Sequence, residues 1–148
     1  MNFDIYTIKS QEALKKAGAL VSELGQQAIE TAHLLKAILL VDDNVLSYLL
    51  KKMGVKKEML NERLQSILTT YPQVSGQQPY LSNDAAKILG QAEKEMKLLK
   101  DEFVAIEHII LAMSISKDKT GLLLKELGFE RAILLKAIEE LRGGDRVT

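Results

Sequence analysis

The side chains best suited to chemistry in this sequence are two histidines, His33 and His108, and a few paired carboxylates. Histidine titrates near neutrality and is a common metal ligand. Both stand at the start of apolar segments, beside Leu34-Leu35 and Ile109-Ile110. A metal site needs three or four ligands, and neither histidine has a second strong ligand at helical spacing. General-base work needs a nucleophile within reach, and the sequence supplies none. The histidines are therefore expected to be structural, each hydrogen bonded so that it ties a helix start to the link before it. Glu139-Glu140, and Glu93 with Glu95, could do acid–base work, but they lie on stretches rich in Lys and Glu that read as solvated faces. No G-x-x-x-x-G-K-[ST] loop, G-x-G-x-x-G turn or H-E-x-x-H is present, so nothing cradles a nucleotide phosphate or presents a zinc helix. The absence of cysteine excludes disulfides and thiolate catalysis. No catalytic, cofactor or metal residue is assigned, and the residues are not expected to form an enzyme.

Both histidines belong to an internal repeat, which sets the elements that must position them. Leu14, Ala17, Leu24, Ile29, His33, Leu34, Leu35 and Ala37 recur as Leu89, Ala92, Leu99, Val104, His108, Ile109, Ile110 and Ala112, always 75 apart (108 − 33 = 75). From Leu49 onward the offset is 74: Leu49, Leu50, Lys51, Met53, Gly54 and Leu60 match Leu123, Leu124, Lys125, Leu127, Gly128 and Leu134. A one-residue difference between the 40–45 and 115–119 loops accounts for the shift. Each repeat holds four helical segments. Leu14, Ala17, Val21 and Leu24 form the first apolar stripe; Ala85, Ile88, Leu89, Ala92, Met96 and Leu99 form its counterpart. Thr7 and Ser82 are placed to cap these helices, with Tyr6 and Leu81 in the preceding staple positions. The second helices, about 31–41 and 106–115, are apolar almost all round and should be the buried centre. The third run about 44–53 and 118–127, closed by Gly54 and Gly128. The fourth run about 57–68 and 130–141. Met53, Met59, Met96 and Met113 fall mostly on apolar stripes, as core fillers. No segment alternates with period two, so no sheet is expected. The predicted fold is all-α: eight helices as two pseudo-twofold-related four-helix repeats, about 7–68 and 82–141, with a groove where they meet. A linker at 69–81 holds Pro72, Gly76 and Pro79. The domain is placed at 1–142, and Gly143-Gly144 opens a stretch, 143–148, that reads as a flexible tether.

Composition narrows the partners. Lys plus Arg equals Asp plus Glu, at 20 each in 148 residues, so a nucleic-acid surface is not expected. Lys51-Lys52 and Lys56-Lys57 are offset by Glu58 and Glu62. The longest apolar run, Ala37 to Val41, is far shorter than a membrane span, and Met1-Asn2-Phe3-Asp4 lacks a signal pattern. A cytoplasmic protein without membrane contact is expected.

The opening Tyr6-Thr7-Ile8-Lys9-Ser10-Gln11-Glu12-Ala13-Leu14 resembles the start of the Clp N-terminal domain. So do the histidine segments, Ile29-Glu30-Thr31-Ala32-His33-Leu34-Leu35 and Val104-Ala105-Ile106-Glu107-His108-Ile109-Ile110. Pro72-Gln73-Val74-Ser75-Gly76, Pro79-Tyr80-Leu81-Ser82 and Leu141-Arg142-Gly143-Gly144-Asp145-Arg146-Val147-Thr148 are similar to the ClpB-type disaggregases within that family. The resemblance covers essentially the whole chain.

That resemblance implies a larger AAA+ chaperone, a homohexamer that threads aggregated polypeptide through a central pore and works with the DnaK chaperone system. ATP and magnesium would be held by AAA+ modules outside these residues, with a coiled-coil insertion elsewhere in the chain. The present residues would be a monomeric, mobile domain that engages unfolded or aggregated polypeptide. The family's contact surface carries over to Thr7, Asp101 and Glu107 as substrate-binding residues. Replacing Asp101 and Glu107 together is expected to weaken binding with little change in melting temperature. The alternative is adaptor docking, as in ClpA- and ClpC-type unfoldases. ClpC-type domains bind phosphoarginine through a glutamate before each histidine. Here the first of these positions is Ala32 and only the second is glutamate, Glu107, which counts against that ligand.

Overall fold

Thr7 accepts the Ser10 amide on its hydroxyl at 3.1 Å, satisfying a donor the first helical turn leaves unpaired. Ser82 does the same for Ala85 at 3.0 Å. These caps open α1 (Ile8–Glu23) and its repeat partner, Asn83–Leu98. The computed structural model describes residues 3–74, 76 and 78–148. Met1, Asn2, Ser75 and Gln77 lie outside the described residues, including the first residues of the signal-free N-terminus and one residue of the Pro72–Gly76 segment.

The remaining helices are α2 (Thr31–Val41), α3 (Val45–Met53) and α4 (Lys57–Leu68) in the first half. In the second half α5 (Asn83–Leu98) is followed by α6 (Ile106–Ser114), α7 (Lys119–Glu126) and α8 (Arg131–Arg142). As the all-round apolar pattern requires, α2 and α6 are the buried centre: Leu35, Ala37, Ile110 and Leu111 have essentially no exposed surface. Helix α1 lies along α2, and α5 along α6. The halves then cross: α3 packs on α8 while α4 packs on α7, and α2 meets α6. Since α3 matches α7 and α4 matches α8, each crossing is the other's repeat image. This is the predicted pseudo-twofold, all-α arrangement of eight helices. Gly54 and Gly128 close α3 and α7 at φ 67° and 90°. Met96 and Met113 are buried and Met53 packs on the core, whereas Met59 is exposed. The groove between the halves runs between α4 and α7 and is crossed by an Arg63–Glu126 ion pair.

Contrary to the sequence expectation, there is a small amount of sheet. Strand β1 (Ala28–Ile29) pairs in parallel with β2 (Tyr80–Leu81), in register Ala28 with Tyr80 and Ile29 with Leu81. A single bridge joins Tyr6 to Val104. The two pairings are repeat images, since 6 + 75 = 81 and 29 + 75 = 104. In each, the segment before one half's first helix pairs with the link before the other half's second helix. The Thr7 and Val104 backbones are joined at 3.0 Å, as are Ser82 and Ile29. Two residues are too few to leave a period-two signal.

The loop difference also has a structural consequence. Helix α6 ends at Ser114, two residues before the position matching the end of α2, so the Ser116 backbone lies directly on α7. A Cβ at Gly121 would overlap the Ser116 carbonyl. The matching position in the first half, with its longer loop, is Ser47. Gly121→Ala is therefore expected to destabilise the chain by at least about 2 kcal/mol, because backbone must move. Gly90→Ala, in open space on α5, is expected to gain about 0.5–1 kcal/mol. Chemical denaturation of both variants checks the pair; equal effects would refute the close-approach argument.

Candidate functional site

Each histidine does the work a glutamate does in a capping box. The His33 Nδ1 accepts the Glu30 amide at 2.9 Å, and the His108 Nδ1 accepts the Ala105 amide at 2.8 Å. With Nδ1 accepting, the proton must sit on Nε2, which donates to Gln26 Oε1 at 2.7 Å and to Asp101 Oδ2 at 2.6 Å. Both rings are fully buried. Burial holds the His33 imidazole down at about 4. Burial also lowers His108, outweighing the opposite pull of Asp101 and Glu107. The expected tie between helix start and preceding link is present in both halves, and both imidazoles are neutral.

The two histidine sites differ in charge. In the first, Gln26 passes its amide to the Leu68 carbonyl at 2.8 Å, at the end of α4. The Tyr71 ring lies over His33 at 5.4 Å between centroids. In the second, the matching positions hold Asp101 (26 + 75) and, at the end of α8, Arg142 (68 + 74). Arg142 forks onto Asp101, Nη2 to Oδ2 at 2.8 Å and Nη1 to Oδ1 at 3.2 Å, while its Nε donates to Glu107 at 3.1 Å. The Val147 amide donates to Asp101 Oδ1 at 2.9 Å. Burial alone pushes the Asp101 carboxyl up, but Arg142, the Val147 amide and His108 bring it below its ordinary value. Two carboxylates thus share one guanidinium, leaving the cluster with one excess negative charge.

The three carried-over residues come together only in part. Asp101 and Glu107 are each 7% exposed and joined through Arg142. Thr7 lies across the Tyr6–Val104 bridge and spends its hydroxyl on Ser10, donating to its Oγ and accepting its amide. Around this junction the surface is apolar. Ile8, next to Thr7, is 77% exposed, and Leu98, three residues before Asp101, is 66% exposed. They are the two most exposed large apolar side chains among the described residues, and neither is repeated: Asn83 and Glu23 stand at the matching positions. Arg142, Gln26 and Val147 were not singled out from sequence, although the repeat offsets place Gln26 opposite Asp101 and Leu68 opposite Arg142. Among the described residues no group of three or more His, Asp or Glu is arranged to hold a metal ion, and no helix is long and apolar enough to cross a membrane.

Residues 5–127 match the family described as the Clp repeat (R) N-terminal domain. A ClpB chaperone protein from Porphyromonas gingivalis is 42% identical over 148 residues, covering 100% of this chain and 17% of that protein. The chain thus spans about a sixth of the length of the curated relatives it matches. The crystal structure of the Hsp104 N-terminal domain from Candida albicans has a TM-score of 0.79 at 23% identity, covering 96% of this chain and 94% of that one. A ClpV N-domain in complex with a VipB peptide has a TM-score of 0.78 at 21% identity, covering 94% and 88%. At these identities the two structures share the fold.

The expectation that Asp101 and Glu107 can be lost without structural cost does not survive their burial. Replacing both by alanine leaves the Arg142 guanidinium, 8% exposed, without a carboxylate. The expected cost is about 3–5 kcal/mol, or a melting midpoint roughly 10 °C lower by calorimetry. A midpoint within about 2 °C of the parent would contradict it. Acid should act through the histidines. The fold holds His33 below its ordinary 6.5, so the neutral ring stabilises the chain fully above that pH, and the contribution, roughly 3 kcal/mol, is lost as pH falls toward 4. His33→Ala should lower the melting point at pH 7.5 and flatten its decline between pH 6.5 and 4.5. A decline parallel to the parent's would sink this assignment.

Proposed function

The chain belongs to the Clp repeat N-terminal domain family, and we propose that it is the substrate-engaging N-terminal domain of a ClpB-type protein disaggregase. Full-length similarity to proteins named ClpB supports the subtype. The observation that carries substrate engagement is the pair of unrepeated, exposed apolar side chains, Ile8 and Leu98, on the segments that meet at the Tyr6–Val104 bridge beside the acidic cluster. Apolar side chains left on a surface gain by covering one another's neighbours in an unfolded chain, at about 25 cal/mol per Å². The excess negative charge beside them favours segments that mix apolar and basic residues. Two side chains bury little area, and an unfolded partner loses entropy on capture, so binding is weak.

In this proposal the domain does no chemistry. No residue of the chain forms a phosphate-binding loop, so ATP and magnesium would serve AAA+ modules elsewhere in a longer, cytoplasmic, hexameric protein acting with the DnaK system. Thr7 and Asp101 act here by holding the junction, and Glu107 by sharing Arg142.

Titrating isotope-labelled chain with a reduced, alkylated, permanently unfolded polypeptide should shift amides at 7–8, 98–104 and 107. Absent or scattered shifts at millimolar polypeptide would sink the proposal. Ile8→Ser with Leu98→Ser should weaken binding about fivefold or more, while the melting midpoint moves by less than about 2 °C, because both side chains are already in water.

A further inference from the structure

The Asp101 carboxylate is saturated. It accepts four hydrogen bonds: two from Arg142, one from His108 and one from the Val147 amide. An ionised carboxylate offers about four acceptor positions, so any fifth donor must displace one of these. Three of the four are fixed by the fold. His108 is locked by its own cap, and Arg142 is the last residue of α8, forked onto Asp101 and shared with Glu107. The fourth belongs to the segment after the helix, which turns back through Gly143 and Gly144, both at positive φ. That segment makes a second bond to the same loop: the Glu102 amide donates to the Val147 carbonyl at 2.7 Å. Val147 therefore pairs through its N–H and its C=O with two adjacent residues, and neither bond involves its side chain.

We propose that this is a docking register for one residue of any extended polypeptide, and that the tail, residues 143–148, is its intramolecular competitor. The proposal rests on the function inferred above and specifies how an unfolded substrate is held. A substrate backbone amide replaces the Val147 amide on Asp101 Oδ1, and a substrate carbonyl takes the Glu102 amide. Arg142 and His108 stay in place. Recognition by backbone groups suits unfolded chains of varied sequence, with Ile8 and Leu98 supplying apolar contact beside the register. Neither Asp101 nor Glu107 then needs to meet a substrate cation directly. The first half has no such register: the position of Asp101 is filled by Gln26, whose amide group is already spent on His33 and Leu68.

Val147→Pro in the full chain removes the competing N–H and leaves every side chain of the cluster. It should bind the unfolded, alkylated polypeptide about three- to tenfold more tightly than the parent, the worth of one hydrogen bond. In the parent, hydrogen exchange at the Val147 amide should quicken on saturation with the same polypeptide, while Glu102 stays protected by its new partner. If Val147→Pro binds no more tightly than the parent, or if the parent's Val147 amide stays protected at saturation, the register is wrong and the broader binding function stands. If neither form shifts with millimolar polypeptide, the binding function fails and takes the register with it.

Discussion

A backbone amide donating to a histidine Nδ1, once in each half, is the bond on which the rest of the structure hangs. A buried amide without a partner costs about 1–3 kcal/mol, and here the ring that satisfies it is itself fully buried. Using Nδ1 as acceptor fixes the tautomer, so Nε2–H must find its own acceptor, and it finds one seven residues earlier, past the end of the first helix. One side chain thereby pins three things together: the end of the first helix, the link after it and the start of the second. The link is also the strand that receives the other half's leading segment. Each half therefore holds ready the edge that the other half needs, and the cross-packing of α3 on α8 and α4 on α7 closes the exchange.

The repeat acts as its own control for what folding requires. Gln26, His33 and the Leu68 carbonyl satisfy one another without any charge, so a charged cluster is not needed to build this corner. The second half nevertheless buries Asp101, Glu107 and Arg142 at the same corner. Buried ion pairs are weak contributors to stability, since desolvation offsets most of the attraction. What the charges add is geometry. Arg142 holds the end of α8 against both the loop at 101 and the first turn of α6. Each histidine is also covered by whatever follows its half: Tyr71 of the linker lies on His33, and the Val147 backbone lies on Asp101.

Helices, caps and the paired core were legible because they follow from short-range rules repeated at a fixed offset. Thr7 and Ser82 precede apolar stripes, and the second helices are apolar on every face. The exchanged strands were not legible, because two-residue pairings carry no period. The burial of Asp101 and Glu107 was hidden for a different reason: their partner Arg142 is 41 and 35 residues away, in a stretch that composition marks as flexible. The offset of 74 that aligns the fourth helices does place Arg142 opposite Leu68, and a basic residue opposite a buried apolar one points to a new partner. Ile8 and Leu98 fall off the apolar stripes of their helices, which is the sequence trace of their exposure.

A competitor attached to the same chain has an advantage that free substrate lacks. A short tether gives an effective concentration on the order of millimolar, so the tail holds its place against dilute unfolded protein even though a hydrogen bond or two contributes little. Substrate gains the upper hand only where many extended segments are presented together, as on the surface of an aggregate, or where Ile8 and Leu98 add apolar contact that the tail does not make. A domain with a tight, open pocket would bind any unfolded chain it met. One whose register is filled from within responds to local density of unfolded backbone, and it does so with the same residues, Asp101 and Arg142, that hold its last helix in place.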